Sequence, residues 1–419
     1  MILWNQNENK QMSRKSNMSG KLVVTRRNEQ IVTALYENNQ LCELQFDSEK
    51  MIRGAHTAIV LGNIYVAKVQ NIVKNINGAF LEIGKEQLCY YSLTDNKKPI
   101  VLNATNRNFI AVGDLLLVQI QKEAMKTKLP GATSYLNLTG KYLVLTVGKC
   151  SIGISNKIQS LEERNRLKTW MSKKISKEYG WIVRTNAEFV SEEKLEQEAT
   201  LLIKKYESLM SVAKYRTSGQ LLYEAPVPYL TALRDQKEES IARIVTDDTV
   251  LYTNLKQYLE EYQPEDSHKL ELYEDSMISL SNLLGLEKEI EEAIREKVWM
   301  KSGGYLIIQP TEAMTVIDVN TGKAINKKRV QDHFLQINLE AAKEVARQIR
   351  LRNLSGIIIV DFIDLDTEEA KETLLTALRK FVAKDRIKTD VIDMTKLNLV
   401  EMTRKKLLKP IYEQMKERG

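Results

Sequence analysis

Two apolar stretches of this chain run into acidic side chains. One reads Thr315-Val316-Ile317-Asp318-Val319-Asn320, the other Ile357-Ile358-Ile359-Val360-Asp361-Phe362-Ile363-Asp364. A carboxylate without a partner in a buried strand is expensive, so each aspartate needs a hydrogen bond, an organic cation or a metal. The connection between the stretches can hold a full helix, which predicts parallel neighbouring strands in a β-α-β unit. Such strands lie about 5 Å apart. Asp318 and Asp361 are then expected side by side at the carboxyl ends of their strands, where open α/β sheets place their sites. Asn320, two residues on, shares the face of Asp318. Two carboxylates this close repel unless a cation lies between them. Mg²⁺ suits such a pair, because it takes one or two carboxylates and completes its shell with water and phosphate oxygens. Held there, it can polarise a phosphodiester and activate a water. The alternative is structural, since perturbed acids also cap turns and pair with lysines. Asp364 is a secondary candidate with the same two readings.

The elements that must hold these residues are legible in the pattern. GGYLIIQP and MTVIDVN read as strands. Val330, Phe334, Ile337, Ala341, Val345 and Ile349 recur at spacings of three and four, which predicts an amphipathic helix across VQDHFLQINLEAAKEVARQIRLR. IIIVDFIDL reads as a buried strand, Asp366 and Glu369 as a capping box, and the following helix carries Ala370, Leu374, Ala377, Phe381 and Val382 on one face. TDVIDM is a further strand.

Upstream, KLVVT, IVTALYE and QLCELQF are β-like bursts with a turn at Asn38-Asn39. NIYVAKVQNIV, GAFLEIG, LCYYSL and DLLLVQIQ follow at short intervals, the rhythm of a small barrel of about five strands. YLVLTV and WIVRT read as strands, and SLEERNRLKTWMSKKIS and EEKLEQEATLLIKKYESLMSVAKY as helices. Further helices are expected near 228–238, 250–262 and 284–298, and a strand at ARIVT. The polar run EEYQPEDSH is a candidate boundary.

Other residues could touch a ligand. In GAFLEIG, alternation puts Ala79, Leu81 and Ile83 on one face and Phe80 with Glu82 on the other. Phe80, and Tyr90 one strand later, are then either exposed stacking platforms for bases or packed core aromatics. Lys122, Lys126 and Lys128 could neutralise phosphates or form an ordinary basic loop. Arg184 and Thr185 end a strand, and a guanidinium fork beside a hydroxyl suits a terminal phosphate; a surface salt bridge is the plain alternative. Arg404, Lys405, Lys406 and Lys409 form either a phosphate patch or the exposed face of a short helix.

Composition narrows the field. The 419 residues carry 62 Lys and Arg against 55 Asp and Glu, a net charge of +7 too small to identify a partner by itself. Length suits several domains. Cys42, Cys89 and Cys150 are few, odd in number and scattered, which points to a reducing cytoplasm rather than a disulfide framework. With His56, His268 and His333 as the only histidines and no CxxC or HExxH, no zinc is expected within the chain. No apolar run approaches a membrane span. Residues 1–17 read as a polar, disordered extension.

The run from Gly303 to Arg404 resembles the catalytic region of the ribonuclease E/G family. The words GGYLIIQPTEAMTVIDVNTG, INLEAAKEVARQIRLRNLSGIIIVDFIDL and VEMTRKK carry the likeness, and NIYVAKV, GAFLEIG, TGKYLVL and WIVRT extend it from about residue 20. The resemblance implies a mixed, multidomain α/β fold. An OB-type RNA-binding barrel (59–138) and a 5′-sensor region (139–229) would interrupt a ribonuclease-H-like subdomain (18–58 plus 230–293). A DNase-like catalytic subdomain (294–415) would follow. It also implies Mg²⁺-dependent hydrolysis of single-stranded RNA, leaving 5′-monophosphate and 3′-hydroxyl ends. Asp318 and Asp361 match the family's metal ligands and Asn320 its positioning asparagine. Phe80, Tyr90 and Lys128 match its RNA channel, and Arg184 and Thr185 its 5′-phosphate pocket. The family continues into a CPxC zinc link and a small dimerisation domain. This sequence reaches Gly419 with neither, so the zinc-linked dimer is not expected from it, although a homo-oligomer remains open. A non-catalytic RNA-binding protein and a phosphohydrolase acting on DNA or small phosphates are the competing readings.

Overall fold

The structure, a computed structural model, describes residues 20–48, 60–84, 87–104, 109–122, 129–237, 240–322 and 330–416. Three antiparallel strands open it: β1 (Gly20–Arg27), β2 (Gln30–Glu37) and β3 (Gln40–Ser48). Asn38 and Asn39 both take positive φ (51° and 59°), which makes the expected two-residue hairpin turn.

Five strands then close a barrel. β4 (Ile64–Val73) pairs with β5 (Gly78–Glu82), β5 with β6 (Leu88–Ser92), and β7 (Leu115–Lys122) returns to β4. The short β8 (Gly131–Thr133) bridges β6 and β7. Its interior is filled by residues such as Val69, Leu81, Tyr91, Leu116 and Val118. A second sheet follows, of β9 (Asn137–Thr139), β10 (Leu143–Val147), β11 (Ile152–Ile154) and β12 (Tyr179–Val183). Helices α1 (Leu161–Ser172) and α2 (Glu192–Ala213) share a core with it around Trp181, Leu145 and Leu195. β13 (Leu221–Tyr223) adds to β4, and α3 (Pro228–Arg234) ends this part of the chain, shorter than the expected 228–238.

β14 (Ile241–Thr246) lies parallel to β1, and β15 (Leu270–Leu272) parallel to β14, completing the order β15-β14-β1-β2-β3. Helix α4 (Thr249–Tyr262) crosses between them. The polar run EEYQPEDSH is therefore no boundary. Most of it is a 3₁₀ turn over Pro264–Lys269 in which Asp266 is buried and paired with Lys269 at 2.6 Å. Compact units do separate elsewhere: one is built from the chain up to Glu49 and from Glu238 onward, the other from Lys50–Lys237.

After α5 (Leu280–Leu284) and α6 (Leu286–Ile294) the expected helix stops. Arg295 is extended, and β16 (Lys297–Trp299) pairs with β17 (Tyr305–Pro310). Val298 and Trp299 are strand formers, and a hairpin partner outweighs the weak helical preference of this segment. β18 (Met314–Asn320), β19 (Gly356–Asp361), β20 (Thr389–Met394) and β21 (Leu399–Arg404) complete a sheet of order β16-β17-β18-β19-β21-β20.

Helix α7 (Val330–Leu351) covers one face of this sheet through Ile337, Ala341, Val345 and Ile349. Burying an Ile or Val contributes about 1.5–3 kcal/mol each, far more than any helix propensity difference. The side chain of Val330, predicted on the same stripe, lies outside the described residues. Leu351 enters the core of the first sheet, and Arg350 reaches Glu37 (2.6 Å) and Glu43 (2.8 Å), so α7 serves both sheets. Helix α8 (Glu368–Val382) begins one residue later than the capping-box reading. Thr367, not Asp366, is its N-cap and accepts from Ala370 N. The short α9 (Ile411–Lys416) packs beside β3.

Candidate active site

Strands β18 and β19 are parallel and Asp318 stands directly opposite Asp361. The two carboxylates end their strands on one face, as the β-α-β argument predicts. Contrary to the expectation of acids in buried strands, neither aspartate is buried. Along β18, Thr315, Ile317 and Val319 point into the core while Met314 and Asp318 are exposed. Along β19, Ile358 and Val360 are buried while Ile357 is 47% exposed. The helices cover one face of the sheet, and the acids stand on the other.

Asn320 Nδ2 donates to Asp318 Oδ2 at 2.8 Å, which fixes the carboxylate rotamer. Asp364 lies close enough to act electrostatically on Asp361. Partial burial first, then the charges of Asp318 and Asp364, push the Asp361 carboxyl above the usual aspartate range. Asp364 also accepts from Asn398 Nδ2 at 2.9 Å, and Asn398 holds a positive φ of 61° in the turn before β21. The turn-anchoring reading of Asp364 thus has a partner in hand. Asp318 and Asp361, with the Asn320 amide beside them, are the residues that could hold a small, hard divalent cation. Among the described residues no group of three or more His, Cys, Asp or Glu side chains is placed to hold a metal ion.

Asn338 was not singled out from the sequence. It is fully buried on α7, donates to Ile363 O (2.7 Å) and accepts from Ile363 N (3.1 Å). This pair of bonds clamps the loop two residues beyond Asp361. The signal was available, because Asn338 falls on the apolar stripe between Ile337 and Ala341, where a polar side chain must find a partner.

Phe80 and Tyr90 meet as a cross-strand pair on β5 and β6, both half-buried, with ring centroids 6.3 Å apart. Gly78 makes room for them: a Cβ there would fall 2.3 Å from the Tyr90 ring. Lys122 ends β7, while Lys126 and Lys128 lie outside the described residues. Arg184 is not a free surface residue. It donates to Gly140 O (2.6 Å) and pairs with Asp235 (2.8 Å), and the turn it reaches is held by Glu198, which accepts from the backbone of residues 141–143. Thr185 shares a hydroxyl–hydroxyl bond of 2.8 Å with Ser155.

The basic C-terminal cluster is neither a phosphate patch through Arg404 nor the face of a helix. Arg404 is buried and bonded to Asp385 (2.7 Å), Asn353 (2.7 Å) and Leu354 O (2.9 Å), so it belongs to the core rather than to a phosphate patch. Residues 405–409 form no helix. No helix among the described residues is long and apolar enough to cross a membrane.

Comparison with known proteins agrees with this architecture. The family model described as the ribonuclease E/G family matches residues 137–407. Ribonuclease G of Salmonella typhimurium (strain SL1344) is 35% identical over 357 residues, covering 83% of this chain and 73% of the relative. Ribonuclease G of Haemophilus influenzae is 34% identical over 384 residues, 89% of this chain and 77% of that protein. Ribonuclease E of Nostoc sp. (strain PCC 7120) is 32% identical over 388 residues, and the match spans 55% of its length. With a mixed α/β fold, a closed five-stranded barrel and these matches over most of its length, the chain belongs to the ribonuclease E/G family.

Proposed function

We propose that this chain is an endoribonuclease. It hydrolyses internal phosphodiesters of single-stranded RNA with Mg²⁺ and leaves 5′-monophosphate and 3′-hydroxyl ends, acting in cytoplasmic RNA processing or decay. The single observation that carries the reading is the register of Asp318 against Asp361 on the open face of the sheet. Asp318 and Asp361 hold the cation, which supplies charge to polarise the phosphodiester and ease deprotonation of the attacking water. Asn320 keeps the Asp318 carboxylate aimed across the strand. Asn338 holds the chain beyond Asp361 at the spacing the pair needs. Asp364 adds negative potential near Asp361 and anchors its turn.

Phe80 and Tyr90 are read as a base-stacking pair on the OB-type barrel, with Lys128 as the phosphate contact that the resemblance assigns. Arg184 and Thr185 are read as the receptor for a 5′-phosphate. Because Asp235 already holds the guanidinium, a phosphate there must compete with that ion pair. The subdomain division given above, with barrel and sensor region interrupting a ribonuclease-H-like part and a DNase-like part from 294, is part of the same proposal.

The test is incubation of the purified chain with a labelled, 5′-monophosphorylated oligoribonucleotide, with and without Mg²⁺, beside single-stranded DNA of the same sequence. Metal-dependent RNA products ending in 3′-hydroxyls are expected. RNA binding without cleavage under every divalent metal condition would leave an RNA-binding protein and overturn the enzymatic reading.

A further inference from the structure

The open face that carries the acids continues across the sheet to β16 and β17. In one register row Trp299 stands opposite Tyr305, and Tyr305 opposite Asn320. In the next row Lys297 stands opposite Ile307, Ile307 opposite Asp318, and Asp318 opposite Asp361. At ordinary strand spacing Tyr305 lies about 5 Å and Trp299 about 10 Å from the β18 backbone. Trp299 is 64% exposed although it is the bulkiest side chain type available. Its ring meets Tyr305 edge-to-face at 5.1 Å, and the Lys297 ammonium lies 4.0 Å from the Trp299 centroid and 3.7 Å from the Tyr305 centroid.

Trp299, exposed on the edge strand β16 against a half-buried Tyr305 on β17, has no packing purpose of its own there, since a Trp left largely in water forgoes most of its burial energy. A ring with a cation resting on it is a surface whose present occupant is easily exchanged: an exposed ammonium–ring contact is worth less than a nucleobase stacked on the same face. The displaced ammonium then finds a phosphate of the strand that carries the base.

We propose that Trp299 and Tyr305 form a base-stacking platform beside Asn320, with Lys297 contacting the backbone, and that it holds a nucleotide flanking the linkage presented to Asp318 and Asp361. The occupant is single-stranded RNA because the platform shares a face and register rows with the phosphodiester site, and because stacking needs an unpaired base. The inference rests on the ribonuclease reading for what lies at the acids, but the platform itself is a binding surface and can be measured without cleavage.

The experiment uses the full chain in EDTA, titrated with a fluorescein-labelled single-stranded oligoribonucleotide, followed by cleavage kinetics in Mg²⁺. Trp299→Ala is expected to weaken binding by about fivefold to a hundredfold, and in kinetics to raise KM more than it lowers kcat. Trp299→Phe recovers most of the loss. The chain has four tryptophans and Trp299→Phe removes only one, so the difference in tryptophan emission between the wild-type chain and this variant isolates Trp299, and that difference is quenched by RNA. Lys297→Ala reduces the slope of log affinity against log salt by about one. The proposal is overturned if RNA binds the wild-type chain with no quench of that difference, or if a folded Trp299→Ala chain keeps wild-type affinity and KM. Should Trp299→Ala fail to fold, the quench and the Lys297→Ala slope decide the matter alone. A wild-type chain that never cleaves, yet shows the quench and the affinity loss, would sink the ribonuclease reading and leave the platform standing.

Discussion

Strand β19 has a charge cluster at each end, and the two are built on opposite principles. At its amino end Gly356 stands opposite Arg404, whose guanidinium is buried and bonded to Asp385, Asn353 and Leu354 O. Arg404 there has its counter-charge, Asp385, within the fold. At its carboxyl end Asp361 faces Asp318, with Asp364 near, and partial burial followed by these like charges pushes the Asp361 carboxyl up. The first arrangement offsets the desolvation of an ion by a partner inside the chain. The second leaves the repulsion standing on an open face, which is tolerable because water screens it and useful because an arriving cation removes it. Charge neutralised inside the fold reads as structure, and like charge gathered at strand ends reads as a site.

That contrast can be broken experimentally, beginning at the carboxyl end. Asp318→Ala or Asp361→Ala should lower Mg²⁺-dependent RNA cleavage by at least about 10³-fold, a barrier increase of about 4 kcal/mol. The melting temperature without metal should hold or rise, because repulsion has been relieved. Millimolar Mg²⁺ should raise the melting temperature of the wild-type chain by mass action and leave either variant unmoved. Cleavage at the wild-type rate in both variants would end the interpretation.

The amino end should behave in the reverse way. Arg404→Met strands a buried Asp385 and is expected to destabilise the fold by about 3 kcal/mol or more, read from urea unfolding. Pairing it with Asp385→Leu should restore much of the loss. If Arg404→Met instead weakened RNA binding with stability unchanged, the cluster would belong to the surface after all.

Between these extremes stands Asn338. Asn338→Ala removes both bonds to Ile363 and leaves its backbone groups short of partners, for a stability loss of about 1–3 kcal/mol. Its kcat should fall about tenfold with KM little changed, since the residue positions Asp361 and touches no substrate. Equal kcat in variant and wild type would make Asn338 purely structural.

Asp47 sharpens the comparison from a third side. It is buried, Gln45 Nε2 donates to it at 3.0 Å, and burial pushes its carboxyl up to about 7. Its unfolded value is about 3.9. As pH rises from about 4 to 7 the unfolded chain releases this proton and the folded chain keeps it, so stability falls with rising pH over that window and stays low above it. Asp47→Asn should therefore gain about 1 kcal/mol or more at pH 8 relative to wild type, with the gain shrinking toward pH 4 in thermal melts at both pH values. A constant difference across that range would show that the carboxyl titrates normally.

Much of this was readable in advance wherever one periodicity dominated. The stripe of Ile337, Ala341, Val345 and Ile349 gave α7, the alternation in GAFLEIG put Phe80 outward, and the helix between two apolar strands implied their parallel pairing. Local reading failed where a partner far along the chain decided the outcome. Lys297–Trp299 becomes a strand because β17 is there to receive it. Arg404 looks like part of a basic tail in KK-rich sequence and is buried because Asp385 and Asn353 converge on it.

The amino-acid sequence by itself determined the family, most of the longer elements and the two aspartates toward strand ends, because hydrophobic periodicity and long ordered motifs are properties of neighbours along the chain. Only the tertiary structure decided which face those strands leave open, which cations are already committed and that a tryptophan and a tyrosine lie in the same register row as Asn320. Those depend on which distant residues come within a few ångströms of each other, and a hydrogen bond, an ion pair or a stacked ring is decided at that distance and no other.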